Sequence, residues 1–175
     1  MQDSLDVTAT SPRRICRTAA MAVLTLSWAA PALGGATCSV AATGVNFGAY
    51  DISLPAPNDS TGNVTVTCSY LPPGGATDVN LQAALSPGVS GSYSPRQMAF
   101  GSARLNYNLF LDAARSSIWG NGLSATGIAT ASFKVGPGVG NGTRSAELLV
   151  YGRVPALQMV GMGAYSDTIV VTVTF

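Results

Sequence analysis

The chain has 175 residues, 47% of them hydrophobic and only 10% charged, with a formal net charge of +1 and no histidine. That is enough chain for one domain with a sizeable core, and too little charge for a typical cytosolic protein. It offers no basic surface of the kind nucleic acid requires, and without histidine the Ser-His-Asp and Cys-His arrangements are excluded.

The N-terminus reads as an export signal. Arg13, Arg14 and Arg17 precede an apolar run from Ala19 to Ala30, and small residues follow through Ala32, Gly34 and Gly35. The run is too short for a bilayer core of roughly 30 Å. Ile15-Cys16-Arg17 fits the twin-arginine pattern poorly, so general secretion is the expected route. Residues 1–35 are therefore assigned to a signal peptide with a polar N-terminal extension, and 36–175 to the exported domain. The extension, Gln2 to Pro12 with Asp3 and Asp6, is an unusual element ahead of a signal. Loss of the signal removes Cys16 and leaves Cys38 and Cys68, separated by 30 positions, which are expected to form a disulfide in an oxidising compartment. Closing such a loop stabilises a domain by about 2–4 kcal/mol.

Twenty glycines with abundant Val, Thr and Ser favour strands and turns. The segment Cys38 to Tyr50 alternates and reads as a first strand, leading into a turn-rich stretch from Asp51 to Gly62. Val64, Val66 and Cys68 then share one face, so that face is core, and pairing with Cys38 would set the first two strands either side by side or face to face. Pro72-Pro73-Gly74-Gly75 breaks the chain before Val79, Leu81 and Ala83 alternate. Leu105, Tyr107, Leu109 and Leu111 follow at spacing two, and Trp119-Gly120-Asn121-Gly122 closes that segment as a turn. Further strands are expected at Thr126 to Val135, Ser145 to Val154 and Thr168 to Phe175. About seven short strands with regular turn signals indicate an all-β sandwich or barrel in a single domain.

Candidate chemistry is sparse. The six acids after the signal, Asp51, Asp59, Asp78, Asp112, Glu147 and Asp167, lie mostly beside turns, where Asp is ordinarily a turn former, though a carboxylate pair of glycosidase type is the alternative. The stretch 136–142 is glycine-rich but lacks the Lys-Ser ending and following helix of a phosphate loop, so a hairpin tip is expected. The triplets at Asn58, Asn63 and Asn141 match the glycosylation acceptor pattern and mark surface turns. Tyr107, Trp119 and Tyr151 could stack on a sugar, or serve as core and cross-strand residues. No catalytic residue, metal ligand or cofactor site is assigned, and no enzyme activity is expected.

Three blocks together resemble the spore coat protein U domain, the subunit family of archaic chaperone-usher pili of the Csu type. They are Val45-Asn46-Phe47-Gly48-Ala49-Tyr50-Asp51; Ser92-Tyr93-Ser94-Pro95-Arg96-Gln97-Met98 running on to Leu105-Asn106-Tyr107-Asn108-Leu109; and Tyr151-Gly152-Arg153-Val154-Pro155. Asp112, the Trp119 turn and Tyr165-Ser166-Asp167-Thr168 fit the same pattern. The resemblance implies an incomplete immunoglobulin-like sandwich without its last strand, held in the periplasm by a pilus chaperone, passed to an outer-membrane usher, and completed by a segment of another pilin subunit in a surface fibre that supports adhesion or biofilm formation. Ile169, Val171, Val173 and Phe175 would then line a strand-acceptor groove that also contacts the chaperone. With a cut near 32–35, the tail before Cys38 is too short to donate a strand. A subunit that accepts without donating, as a fibre-tip adhesin or a coat protein would, is the alternative expectation.

Overall fold

The computed structural model describes residues 4–7, 35–139 and 142–175, the first segment through its backbone. Most of the expected export signal lies outside the described residues. Nine strands occur among those described: β1 (Ser4–Val7), β2 (Gly35–Thr43), β3 (Asn58–Leu71), β4 (Thr77–Leu85), β5 (Arg96–Phe100), β6 (Ala103–Phe110), β7 (Ala129–Val135), β8 (Thr143–Val154) and β9 (Thr168–Thr174). A single 3-10 turn spans Gly88–Ser90.

The strands form two sheets, ordered β2-β3-β8-β6-β5 and β1-β9-β4-β7. Every pairing is antiparallel except that of β1 with β9. The inner faces follow from period-two alternation. Val64, Val66 and Cys68 of β3 and Ile169 and Val171 of β9 are fully buried, while Thr168, Val170, Thr172 and Thr174 face outward. Leu105, Tyr107 and Leu109 of β6, Val79, Leu81 and Leu85 of β4, and Val150 of β8 complete a core shared by both sheets. Matched to the immunoglobulin scheme of an ABED sheet facing a GFC sheet, β2-β3-β8-β6 takes the A-B-E-D order and β9-β4 the F-C order. The seat of the seventh strand, beside β9, is held by β1. The fold is an immunoglobulin-like sandwich whose G position is filled from the N-terminal side of the chain.

Three local expectations change. The first strand of the domain ends at Thr43, not Tyr50, yet Val45 and Phe47 remain buried. They drop between the sheets after leaving the ladder, and their space exists because position 152 is glycine: a Cβ there would stand 2.6 Å from Val45 Cγ1 and 2.7 Å from Phe47 Cζ. The second strand begins at Asn58, inside the expected turn, because Asn58 to Gly62 pair with β8. Strand β5 was not foreseen, since its inward positions carry Arg96 as well as Met98, and an inward arginine hides the apolar alternation.

Candidate strand-acceptor site

Strand β9 is held by short ladders. On one side β4 pairs with it from Gln82↔Thr174 to Leu85↔Val171. On the other side β1 lies parallel, from Ser4↔Thr168 to Val7↔Val171. Of the four residues expected to line a groove, Ile169, Val171 and Val173 point into the core and are at most 2% exposed. Phe175 lies beyond the end of β9, 53% exposed, beside a small cavity lined by Ala36, Thr77, Asp78 and Val79. The structure thus groups the first three and sets Phe175 apart at the end of the sandwich.

The first half of β9 lies beyond the β4 ladder, and polar side chains take over there. Asp167, 3% exposed, accepts the amide N–H groups of Val89 (2.8 Å) and Thr168 (2.7 Å) on Oδ1 and the Tyr107 hydroxyl (2.6 Å) on Oδ2. The 3-10 turn can approach so closely because residue 88 is a glycine with φ +72°, where a Cβ would collide with the Asp167 carboxylate. Ser86 exchanges bonds with Val170: its N–H donates to the Val170 carbonyl and its Oγ accepts the Val170 N–H, both at 2.9 Å. Ser86 is in turn fixed by Arg96, fully buried, whose Nε and Nη2 donate to the Ser86 carbonyl at 3.1 and 3.0 Å. The same guanidinium donates to the Trp119 carbonyl (2.7 Å) and Asn108 Oδ1 (2.8 Å) and stacks 5.0 Å from the Tyr93 ring centre. Ser166 closes the bracket through two backbone bonds to Ala99 on β5, 2.8 and 3.1 Å. Burying a cation and a carboxylate is tolerable because each is surrounded by complementary partners.

The other candidate residues are dispersed. Cys38 and Cys68 are bonded directly across neighbouring strands, which resolves the side-by-side alternative. Asp59 pairs bidentately with Arg153 (2.7 and 2.8 Å) and lies 3.3 Å from Arg115; the hydrogen bond from Arg153 is the main reason its carboxyl is held below the usual range. Asp51 is lowered by the Ser53 hydroxyl and amide, and Asp112 by the amides of Ser117 and Ser116, so both cap their own turns. Asp78 pairs with Lys134, and Glu147 accepts from Asn63. Among the described residues no cluster of three metal-ligating acids or thiols occurs. Tyr107 and Trp119 are at most 1% exposed and unavailable to a sugar, and the Trp119 indole donates to the Ala83 carbonyl at 2.8 Å. Nothing in the sequence marks Arg96, Tyr107 and Asp167 as a unit; the available signal is Asp167 set between Tyr165 and Ile169, Tyr107 between Leu105 and Leu109, and Arg96 two residues before Met98.

The sequence blocks that carried the family resemblance are the ones that meet in space. Val45 and Phe47 of the first block sit on Gly152 of the third, and the Tyr50 hydroxyl donates to the Pro155 carbonyl at 2.8 Å. The second block supplies Tyr93, Arg96, Tyr107 and Asn108 to the bracket behind β9. Comparison with known proteins agrees. The sequence profile of the Spore Coat Protein U domain matches residues 22–172. Protein U of Myxococcus xanthus is 32% identical over 154 residues, covering 81% of this chain and 79% of that protein. Among solved structures, the chaperone–tip adhesion subunit pre-assembly complex CsuC-CsuE of the archaic chaperone-usher Csu pili of Acinetobacter baumannii aligns over 80% of this chain and 40% of the matched chain. Its TM-score is 0.46 and its identity 21%. On the extent of the profile match and the identity to Protein U, the chain belongs to the Spore Coat Protein U domain family.

Proposed function

We propose that this chain is a non-enzymatic structural subunit of an extracellular fibre, exported to the periplasm and completed there by an extended segment from another polypeptide that pairs with β9. The observation that carries the reading is the occupancy of the seventh-strand seat. In an immunoglobulin domain that strand follows F in the sheet, whereas here a segment remote in sequence, Ser4–Val7, lies beside β9 in parallel pairing, and it belongs to the 1–35 stretch expected to be removed on export, which would free the seat for another chain. An edge that takes up a distant four-residue segment is an edge suited to strand addition. The expected partners follow: a periplasmic chaperone that covers the edge in transit, an outer-membrane usher, and neighbouring subunits that supply the strand in the fibre. A strand that covers four or five core side chains, at about 1.5–3 kcal/mol each, contributes on the scale of a small domain's whole stability, so assembly and folding are coupled.

The test is periplasmic expression with and without a co-expressed pilus chaperone, followed by size-exclusion chromatography. Recovery of a binary complex, with poor yield of the chain alone, is expected. Equal yields of a stable, monodisperse monomer in both conditions would sink the proposal.

A second reading, adhesion through a fibre end, is favoured by the loops 44–57 and 155–167. Met159 and Met162 are 86% and 100% exposed, Ile52 and Leu54 are 39% and 53% exposed, and a cavity of about 430 Å³ lies between the two loops. Apolar exposure of this kind commonly marks a contact surface. Replacing Met159 and Met162 by Ser should then weaken attachment of expressing cells without changing the amount of surface fibre; unchanged attachment removes this reading.

A further inference from the structure

We infer that Arg96, Tyr107 and Asp167 are positioning residues for the acceptor edge: they hold the backbone from Ser166 to Val170 in the extended shape against which an incoming strand pairs. The inference rests on the strand-addition reading above and names the residues that make the edge competent.

Strand β9 lacks a full ladder on its inner side. Its ladder with β4 starts only at Val171, yet the residues that receive the added segment are Thr168 to Val171. Thr168 to Val170, three residues outside the β4 ladder, would otherwise have to be ordered in the act of binding, and ordering backbone is costly. The bracket supplies that order in advance. Val170 is held by both of its backbone groups through Ser86, and Ser86 is held by the Arg96 guanidinium. Asp167 fixes the first turn of the approach by accepting from Val89, Thr168 and Tyr107. All of these bonds approach β9 from the interior or from the β4 side. None of them engages the opposite edge, the one that β1 pairs with.

Chemistry at each position is specific. Arginine satisfies three acceptors on three segments with one rigid planar group, which a lysine ammonium matches poorly. A carboxylate accepts three donors at Asp167, where an amide would turn an NH2 toward at least one of them. The tyrosine hydroxyl bridges β6 in one sheet to the start of β9 in the other. Deleting it leaves the ring in place, 6.0 Å from Phe47 in an edge contact. Tyr107→Phe is thus the mildest probe, and Arg96→Lys and Asp167→Asn are stronger ones.

The experiment uses the full chain, co-expressed in the periplasm with a pilus chaperone, and has two readouts: the amount of chain captured in the complex, and amide exchange followed by mass spectrometry. For Tyr107→Phe and Arg96→Lys, the expected result is exchange about tenfold faster within residues 166–171, with protection of β3 and β8 unchanged. Capture should fall by about the same factor, because the edge must be ordered before it pairs. If wild-type chain is captured and both variants are captured equally well, the positioning role is overturned. Faster exchange spread evenly over the whole domain would also overturn it, since that is the mark of a purely structural residue. If wild-type chain is itself not captured, the fibre reading fails, and this inference falls with it for that separate reason.

Discussion

Strands β3 and β9 are both rich in valine and threonine and both bury alternate residues, but the molecule treats them differently. Strand β3 sits between two partners, with nine paired positions to β2 and twelve to β8, and its attachment to β2 is locked by a disulfide. Strand β9 has four paired positions on each side, offset so that only Val171 is paired on both. Its remaining order comes from buried polar groups. One sheet is therefore finished by local ladders, and the other depends on a distant segment and a network of side chains. Identical alternation predicts burial on one face equally well for both, but it says nothing about whether the edge of a strand is closed.

Breaking the β9 side of this contrast should have the largest effect. Ile169→Asp places an unpaired charge in the core and is expected to cost more than about 4 kcal/mol, so that little folded chain is recovered. Thr172→Asp, one face over, should fall within about 0.5 kcal/mol of wild type in urea unfolding. Similar midpoints for the two variants would contradict the assigned faces. Next comes the β3 side. Replacing Cys38 and Cys68 by Ala should lower stability by about 2–4 kcal/mol, with faster amide exchange in β2 and little change in β8; a uniform loss would mean that the bridge does not anchor the edge strand β2 separately from the rest of its sheet. Between the sheets, Trp119→Phe keeps an aromatic ring but leaves the Ala83 carbonyl without its donor, an expected cost of about 1–3 kcal/mol measurable by thermal unfolding.

The smallest effect is electrostatic and belongs to the outer face of the β3–β8 pair. The Asp59 carboxyl is held below its ordinary value, chiefly by Arg153. A depressed carboxyl stabilises the fold above its unfolded value near about 3.9, and that contribution is lost as pH falls through the lower folded value. Asp59→Asn should therefore destabilise by less than about 1 kcal/mol at neutral pH and by progressively less below about pH 4. A wild-type to variant difference that persists unchanged at pH 2 would assign the effect to packing instead.

Much of this architecture was legible in the chain. Alternation found β3, β4, β6, β8 and β9, and two cysteines in a chain expected to be exported found the bridge. What escaped reading has physical causes. Val45 and Phe47 keep the alternation of a strand while leaving the ladder, so periodicity overran the true end of β2. Arg96 breaks the apolar pattern of β5 because its partners are carbonyls on other segments, which no local window contains. The residues of the bracket lie in separate blocks that resemble the Spore Coat Protein U domain, far apart in sequence, and their meeting point needed the fold. Phe175 continued the apolar series of β9 on paper, but the strand ends at Thr174 and the ring lies outside the sandwich.

The placement of the disulfide has a mechanical consequence. Tension applied to the chain just before Gly35 would enter β2 along its axis, opposed at first by the hydrogen bonds between Gly35 and Cys38 and their partners on β3. At Cys38 the load passes through a covalent bond to Cys68, in the strand that also carries the longest ladder of the domain. Peeling then stops after three residues, and the hydrophobic interior is shielded from a pull that would otherwise unzip it from the N-terminal end.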